Sequence, residues 1–432
     1  MGFLLPSDAS GIRRRDRWLG VLFALLLVFL VARASRKDGG VLVRNQEFGA
    51  RFLAGEDPYF DPKLGSRIHG PYPPSYVLIT APLSLLPTPA ARVAWGMAQA
   101  LALFAAWRLA RRWAREHWPA VLAHAPVAFA IALLLTSRFL LRDTAGGGGN
   151  LMLLVLAAWG LDFALRGRDA AGGALLALSL VLKPNLAPLL LFLAMRKRWK
   201  PLASTALFAA ALFALPAAWF GVARYAELSS RWARDVAAYA SLEDLRAPER
   251  IPDGLPLPDS SMNQSLREAV HRFLRPAQIE GVPDVHFAEV EPLTAVRIAQ
   301  GLALLLAVAS AFAAWRAREG RGALFSWLAF VPLCLLVSPI TWKAHHVALL
   351  PLFFALASEA LARRRWSALA AFLALYWLAC DLASDEIVGR ELRDRLQALS
   401  VVTWFDIALL AVALGLALDS DPAASVSRKS IE

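Results

Sequence analysis

The chain has 432 residues, 58% of them hydrophobic, with 46 Lys and Arg against 34 Asp and Glu. So many long apolar runs exclude a soluble enzyme, and the charge of +12 sits in short clusters between those runs, which fits membrane loops and not a nucleic-acid surface. Two cysteines, Cys334 and Cys380, both in apolar segments, specify neither a disulfide framework nor a metal site.

The first apolar run, WLGVLFALLLVFLVA at 18–32, follows IRRRDRW and precedes no small-residue cleavage site, so a retained anchor is expected and not a secretory signal. Apolar runs of span length then give about twelve crossings. They fall at 17–34, 89–108, 121–139, 150–165, 171–183, 185–196, 201–221, 294–314, 323–340, 345–362, 367–383 and 400–418. The stretch 171–196 is either two short crossings or one tilted helix broken at Lys183–Pro184. Loop charge bears on that choice. With the N-terminus inside, RLARRWARE, RGRD, MRKRWK, RAREGRG and ARRRW are all short, basic cytoplasmic connections, and only an even count keeps them so. The expected layout is a cytoplasmic tail at 1–16, a transmembrane unit at 17–418 and a second cytoplasmic tail at 419–432. Long outer loops fall at 35–75 and 222–293, in a multi-pass protein of the plasma membrane.

In the first outer loop, helical spacing over 43–54 predicts an amphipathic interfacial helix that ends at Gly55. PYPPSY (71–76) is expected to be extended, because consecutive prolines restrict one another. Asp38, Glu47, Glu56, Asp57 and Asp61 are the carboxylates available there as bases, each weighed against a solvated loop charge. Further on, RDTAGGGGNLMLL (142–154) opens a span with four glycines and Asn150. It reads as a phosphate cradle or as a turn with an Asn cap. Lys183 lies between two apolar segments, where a lysine either snorkels to the interface or binds an anion.

In the second outer loop, Ser261 or Asn263 is expected to cap a helix over 264–274 that carries Arg267, His271 and Arg272. Near the end, LVSPITWKAHHVALLP (336–351) breaks a span with Pro339, Trp342, Lys343, His345 and His346. Adjacent histidines on a helix point in different directions and chelate one metal poorly, so one is expected to be structural and the other to work on a substrate.

Taken in order, GEDPY, YPPSYVLITAPLSLLP, the glycine turn ending in Asn150, LKPN, NQSL with Arg267 after it, and SPITWKAHH resemble glycosyltransferase family 87. This is the DUF2029 group, which includes polyprenol-phosphate-mannose-dependent mannosyltransferases of phosphatidylinositol mannoside synthesis. The resemblance runs over roughly 17–418. It implies an all-α polytopic membrane protein, a GT-C-like bundle with its active site on the extracytoplasmic face. It further implies a polyprenyl-phosphate-linked sugar donor, a mannose-like hexose, a lipid or glycan acceptor and inversion at the anomeric carbon. The bilayer is its setting, and no cofactor, metal or nucleic acid is called for.

The same resemblance makes Lys183 and Arg267 phosphate clamps and gives His345 or His346 a part in phosphate contact or proton transfer. Asp57, Tyr59, Tyr72, Asn150, Asn263, Gln264, Trp342 and Lys343 become substrate contacts. The family's usual acid precedes the GEDPY element; counting back from Gly55 reaches Leu42, so the base falls to Asp38, with Glu47 second. The Gln that usually accompanies the Asn of the glycine turn is missing. A transporter or flippase, and a non-catalytic envelope-assembly protein, are the alternatives.

Overall fold

In a bilayer every backbone amide must be satisfied within its own segment, so long apolar windows fold as helices. The computed structural model describes residues 9–36, 40–61, 66–67, 72–240, 262–276, 283–363 and 366–419. Among them the regular structure is helical except for a two-residue antiparallel hairpin, Phe60–Asp61 (β1) with Ser66–Arg67 (β2). The first half contains α1 (Ala9–Arg36), α2 (Val41–Leu53), α3 (Pro74–Thr80), α4 (Thr88–His117), α5 (Ala125–Leu135), α6 (Ser137–Gly146), α7 (Asn150–Leu165), α8 (Asp169–Leu182), α9 (Leu189–Met195) and α10 (Trp199–Phe220). The second contains α11 (Val222–Ala240), α12 (Leu266–Leu274), α13 (Pro292–Arg316), α14 (Arg321–Leu328) and α15 (Phe330–Val337), then a 3-10 stretch, Lys343–Leu349, that runs into α16 (Leu350–Arg363). The helices α17 (Trp366–Tyr376), α18 (Asp385–Val388), α19 (Arg390–Ala398) and α20 (Val401–Leu418) follow.

Among the described residues, six helical segments are long and apolar enough to cross a membrane: Ser10–Arg36, Thr88–His117, Trp199–Phe220, Pro292–Arg316, Lys343–Arg363 and Val401–Leu418. A seventh appears if Pro119–Leu135 and Ser137–Gly146, bent by 65° at Thr136, count as one. The windows 150–165, 171–183, 185–196, 323–340 and 367–383 hold helices of 10–17 residues. Length and composition thus support six or seven spans where the sequence suggested a dozen. Burial explains the difference. The short α7 buries Leu151, Leu154, Val155, Ala158 and Leu161, and a helix enclosed by protein is as apolar all round as one enclosed by lipid.

Ion pairs gather the basic connections at one end of the bundle. Arg112 reaches Asp162 at 2.6 Å, Arg166 holds Asp162 at 3.0 Å and Glu116, Arg196 holds Glu319, and Arg321 lies 3.5 Å from Glu359. Trp118 donates to Glu359 at 2.7 Å. The helix α8 starts at this end, beside the turn that closes α7, and runs antiparallel to α7, with Ser179 donating to Leu153 O at 2.9 Å. Its far end, Lys183, meets the start of α7, and α9 then returns so that Arg196 donates to Ala317 O at 2.6 Å. The segment 171–196 is therefore two antiparallel helices and not one broken helix. Small residues allow this closeness: a Cβ added at Gly172 would sit 2.7 Å from Gly160 O.

The first loop folds down onto the bundle. The helix expected over 43–54 is α2, and Gly55 at φ +76° stands just past its end, the left-handed position that stops a helix. Phe48, Phe52, Tyr59 and Val77 form its small core, and Gln46 donates to Leu83 O and Leu86 O at 3.0 and 3.1 Å. The expected extended stretch stops at Pro73. Pro74 instead begins α3, because a proline in the first helical turn loses no hydrogen bond. In the second loop the helix is α12, and its cap is Ser265, which accepts from Glu268 N at 3.3 Å. Ser261, one expected cap, lies outside the described residues.

Candidate functional site

At the end of the bundle opposite the ion pairs, the glycine run makes a tight turn between α6 and α7. Gly147 and Gly149 both take positive φ, +70° and +68°, which L side chains rarely adopt. The turn closes around Asp143. Its carboxylate accepts from Asn150 N at 3.1 Å, Asn150 Nδ2 at 2.7 Å, Leu151 N at 3.0 Å and Gln99 Nε2 at 3.4 Å. The first amides of α7, which could have faced an anion, are held by the protein's own carboxylate. This geometry favours the turn over the phosphate cradle, with Asp143 and not Asn150 as the cap. A Cβ at Gly148 would meet Asp143 Oδ1 at 2.7 Å, so this glycine makes room for the carboxylate.

Asn150 is buried, and its free oxygen accepts from Lys183 Nζ at 2.9 Å. Lys183 Nζ in turn lies 2.6 Å from His345 Nε2, a contact in which one nitrogen donates and the other accepts. Asp143, Asn150, Lys183 and His345 thus form one polar chain drawn from α6, α7, the end of α8 and the 3-10 stretch. Each link orients the next, and the lysine is half-buried.

The two histidines part company. His346 is fully buried and points away from the chain: Nε2 lies 2.9 Å from Asp406 Oδ2 on α20, Nδ1 lies 3.2 Å from Trp342 O, and the Phe139 ring lies beside it at 5.2 Å. This matches the expectation that adjacent histidines diverge, and gives His346 the structural part.

The loop between α15 and the 3-10 stretch is held from the second outer loop. Asn263 donates to Pro339 O at 3.1 Å and accepts from Thr341 N at 2.8 Å. Gln264 N donates to Thr341 O at 2.7 Å, and its side chain donates to Gln397 O at 3.1 Å. Arg272 donates to Asn263 O at 2.8 Å and to Ser400 Oγ at 2.7 Å. Asn263 and Gln264, expected as substrate contacts, form a clasp on the loop that leads to His345. Arg267 is half-buried on α12, and Trp342 is half-buried at the loop.

From the first loop, Tyr59 donates to Tyr72 O at 2.7 Å, and Tyr72 stacks on Tyr76 with ring centroids 4.2 Å apart. Burial, reinforced by Asp143, pushes the Tyr72 phenol up to about 12, so it stays a neutral hydrogen-bonding group. Asp57 accepts from Tyr59 N at 3.0 Å and shapes the turn. Glu47 lies on the exposed face of α2, opposite the buried Asn45, Phe48 and Phe52. Asp38, the first choice of base, lies outside the described residues; two residues on, Gly40 is so close to Gly146 that an added Cβ would sit 3.1 Å from its carbonyl oxygen.

A small cleft opens beside that point, lined by Ala34, Leu42, Arg92, Trp95, Thr144, Ala145 and Gly147. A second hollow, between α4, α5, α7 and α16, is apolar and apart from this chemistry. Among the described residues, no three His, Cys, Asp or Glu side chains come together as a metal group.

Sequence reasoning passed over Asp143, Gln99 and Asp406. An acid or amide inside an apolar window was the available signal for Gln99 and Asp406, and an acid flanking a glycine run was the signal for Asp143.

None of the curated proteins matches the chain. A family model described as glycosyltransferase family 87 matches residues 71–339, more than half of the chain, from the start of the tyrosine pair through α15 and into the loop that carries Pro339. The chain belongs to glycosyltransferase family 87 and is a membrane glycosyltransferase.

Proposed function

We propose that the protein moves a hexose, mannose-like, from a polyprenyl-phosphate donor to a lipid or glycan acceptor at the end of the bundle where Lys183 and His345 meet. The observation that carries this is the polar chain Asp143–Asn150–Lys183–His345, which holds a lysine and a histidine together at the tip of an apolar bundle. A carboxylate, Asp38 first and Glu47 second, takes the proton of an acceptor hydroxyl. The hydroxyl oxygen attacks the anomeric carbon on the face opposite the phosphate. As that bond forms, the bond from the anomeric carbon to the phosphate oxygen breaks, its electron pair stays on the polyprenyl phosphate, and the sugar is inverted. Lys183, with Arg267 as second clamp, offsets the charge that develops on the leaving oxygen. His345 orients the lysine and contacts the phosphate.

The basic connections at the other end support an extracytoplasmic site in the plasma membrane, with both tails, 1–16 and 419–432, cytoplasmic and the catalytic unit spanning 17–418. A transporter would be expected to carry its ionisable groups near mid-membrane. Here they gather at the two ends.

Purified protein is incubated with a panel of polyprenyl-phosphate sugars and an acceptor lipid extract, and the products are read by mass spectrometry. Hexose transfer from a polyprenyl-phosphate donor is the expected result, and Asp38→Ala should lower it roughly 100- to 10,000-fold. Full transfer by Asp38→Ala, Glu47→Ala and the double variant would remove both from the role of base. No transfer from any polyprenyl-phosphate sugar would overturn the donor.

A further inference from the structure

Beside the polar chain stands a second group of cations, which the mechanism above leaves unused. Arg138 and Arg142 are one helical turn apart on α6, so they share a face. Lys343, on the 3-10 stretch two residues before His345, is only 6% exposed. The helix α6 packs against this stretch, with the Phe139 ring 5.2 Å from that of His346, and Lys343 lies within electrostatic reach of Arg138, Arg142 and Arg393. The local carboxylates are engaged elsewhere. Asp381 caps α6 by accepting from Ser137 Oγ at 2.6 Å and Arg138 N at 3.0 Å, and both Asp385 and Asp394 hold Arg393 at 2.8 Å. Glu386 is exposed on α18. Among the described residues, neither Lys343 nor Arg142 has a hydrogen-bond or ion-pair partner.

A buried ammonium without a partner is costly, and like charges around it add to that cost, so the arrangement fits a site completed by an anion. Arg138 donates through one guanidinium nitrogen to Cys380 O at 2.9 Å, and its remaining N–H groups, with Arg142 and Lys343, suit the several oxygens of a phosphate ester. We infer that Arg138, Arg142 and Lys343 form a binding site for the phosphate of a lipid substrate, next to the Lys183–His345 pair.

This rests on the proposed transferase function and deepens it. Lys183 already spends hydrogen-bonding capacity on Asn150 and His345, whereas Lys343 spends none on the described residues. Two sources carry the required chemistry, the donor's polyprenyl phosphate and a phosphate on the acceptor lipid.

The test measures binding of polyprenyl monophosphate and, separately, of a phosphatidylinositol to the full-length protein in detergent. Wild type is compared with Lys343→Met, Lys343→Arg, Arg142→Gln and Lys183→Met, with thermal melting as the control for folding. Lys343→Met should weaken one of the lipids roughly 10- to 100-fold, Arg142→Gln should weaken the same lipid, and Lys343→Arg should restore most of the affinity. Loss confined to polyprenyl monophosphate assigns the site to the donor, and loss confined to phosphatidylinositol assigns it to the acceptor. Wild-type affinity for both lipids in a folded Lys343→Met, with loss only in Lys183→Met, overturns this site and leaves the transferase function standing. Wild-type protein that binds neither lipid overturns both.

Discussion

Replacing Asp143 with alanine should lower stability by about 3–5 kcal/mol and abolish sugar transfer, because two buried backbone amides lose their acceptor at once. The two donors are Asn150 N and Leu151 N, at the first turn of α7, where no intrahelical carbonyl is available. The Asn150 side chain loses its 2.7 Å anchor as well, and with it the orientation of the oxygen that holds Lys183. Asp143→Asn keeps the shape and one acceptor oxygen, but turns an amide N–H₂ toward donors, so its cost should fall between those of wild type and Asp143→Ala. Thermal unfolding in detergent reads the order. An Asp143→Ala protein that melts with wild type would mean that the carboxylate does not hold the turn.

The second large effect is expected at the buried His346–Asp406 pair. Both side chains are fully buried, and Asp406 is the acid facing Nε2 at 2.9 Å. Removing one partner strands the other in an apolar setting, so Asp406→Ala should cost about 3–5 kcal/mol. Replacing both, as His346→Phe with Asp406→Leu, should cost much less than the sum of the two single changes, because no polar group is then left unpaired. Additive costs in that double-mutant cycle would remove the pairing. The folded double variant should also retain measurable transfer, since His346 acts by positioning the 3-10 stretch and does not face Lys183.

Much of the site was legible where polar residues interrupt apolar windows. Lys183, Asn150 and His345 each stand out against Leu, Ala and Val, and the structure joins them through contacts 33 and 162 residues apart in sequence. The divergence of the two histidines followed from helical geometry alone. What was not legible depends on partners set by tertiary structure. Asp143 sits beside Arg142 and gives no sign that it will fold back onto Asn150 seven residues later. Asp406 meets its histidine across 60 residues.

The family resemblance makes Asn263 and Gln264 substrate contacts, and it carries no sign of the hydrogen bonds they make to Pro339, Thr341 and Gln397. The number of spans is hard to read from sequence for a related reason. Hydropathy records that a residue avoids water, and α7, enclosed by neighbouring helices, avoids it as fully as a lipid-facing span does. Loop charge carried independent information. The basic runs RGRD at 166–169 and MRKRWK at 195–200 share one face only if the chain turns back at Lys183, and α9 does return there.

The proposed transfer depends on Lys183, held by Asn150 and His345, to receive the leaving phosphate. The most direct measurement is the steady-state rate of hexose transfer from a polyprenyl-phosphate hexose by Lys183→Met, with melting temperature read on the same sample. A folded variant with transfer reduced roughly 100- to 1,000-fold is the predicted result. A folded Lys183→Met that transfers sugar at the wild-type rate would contradict it.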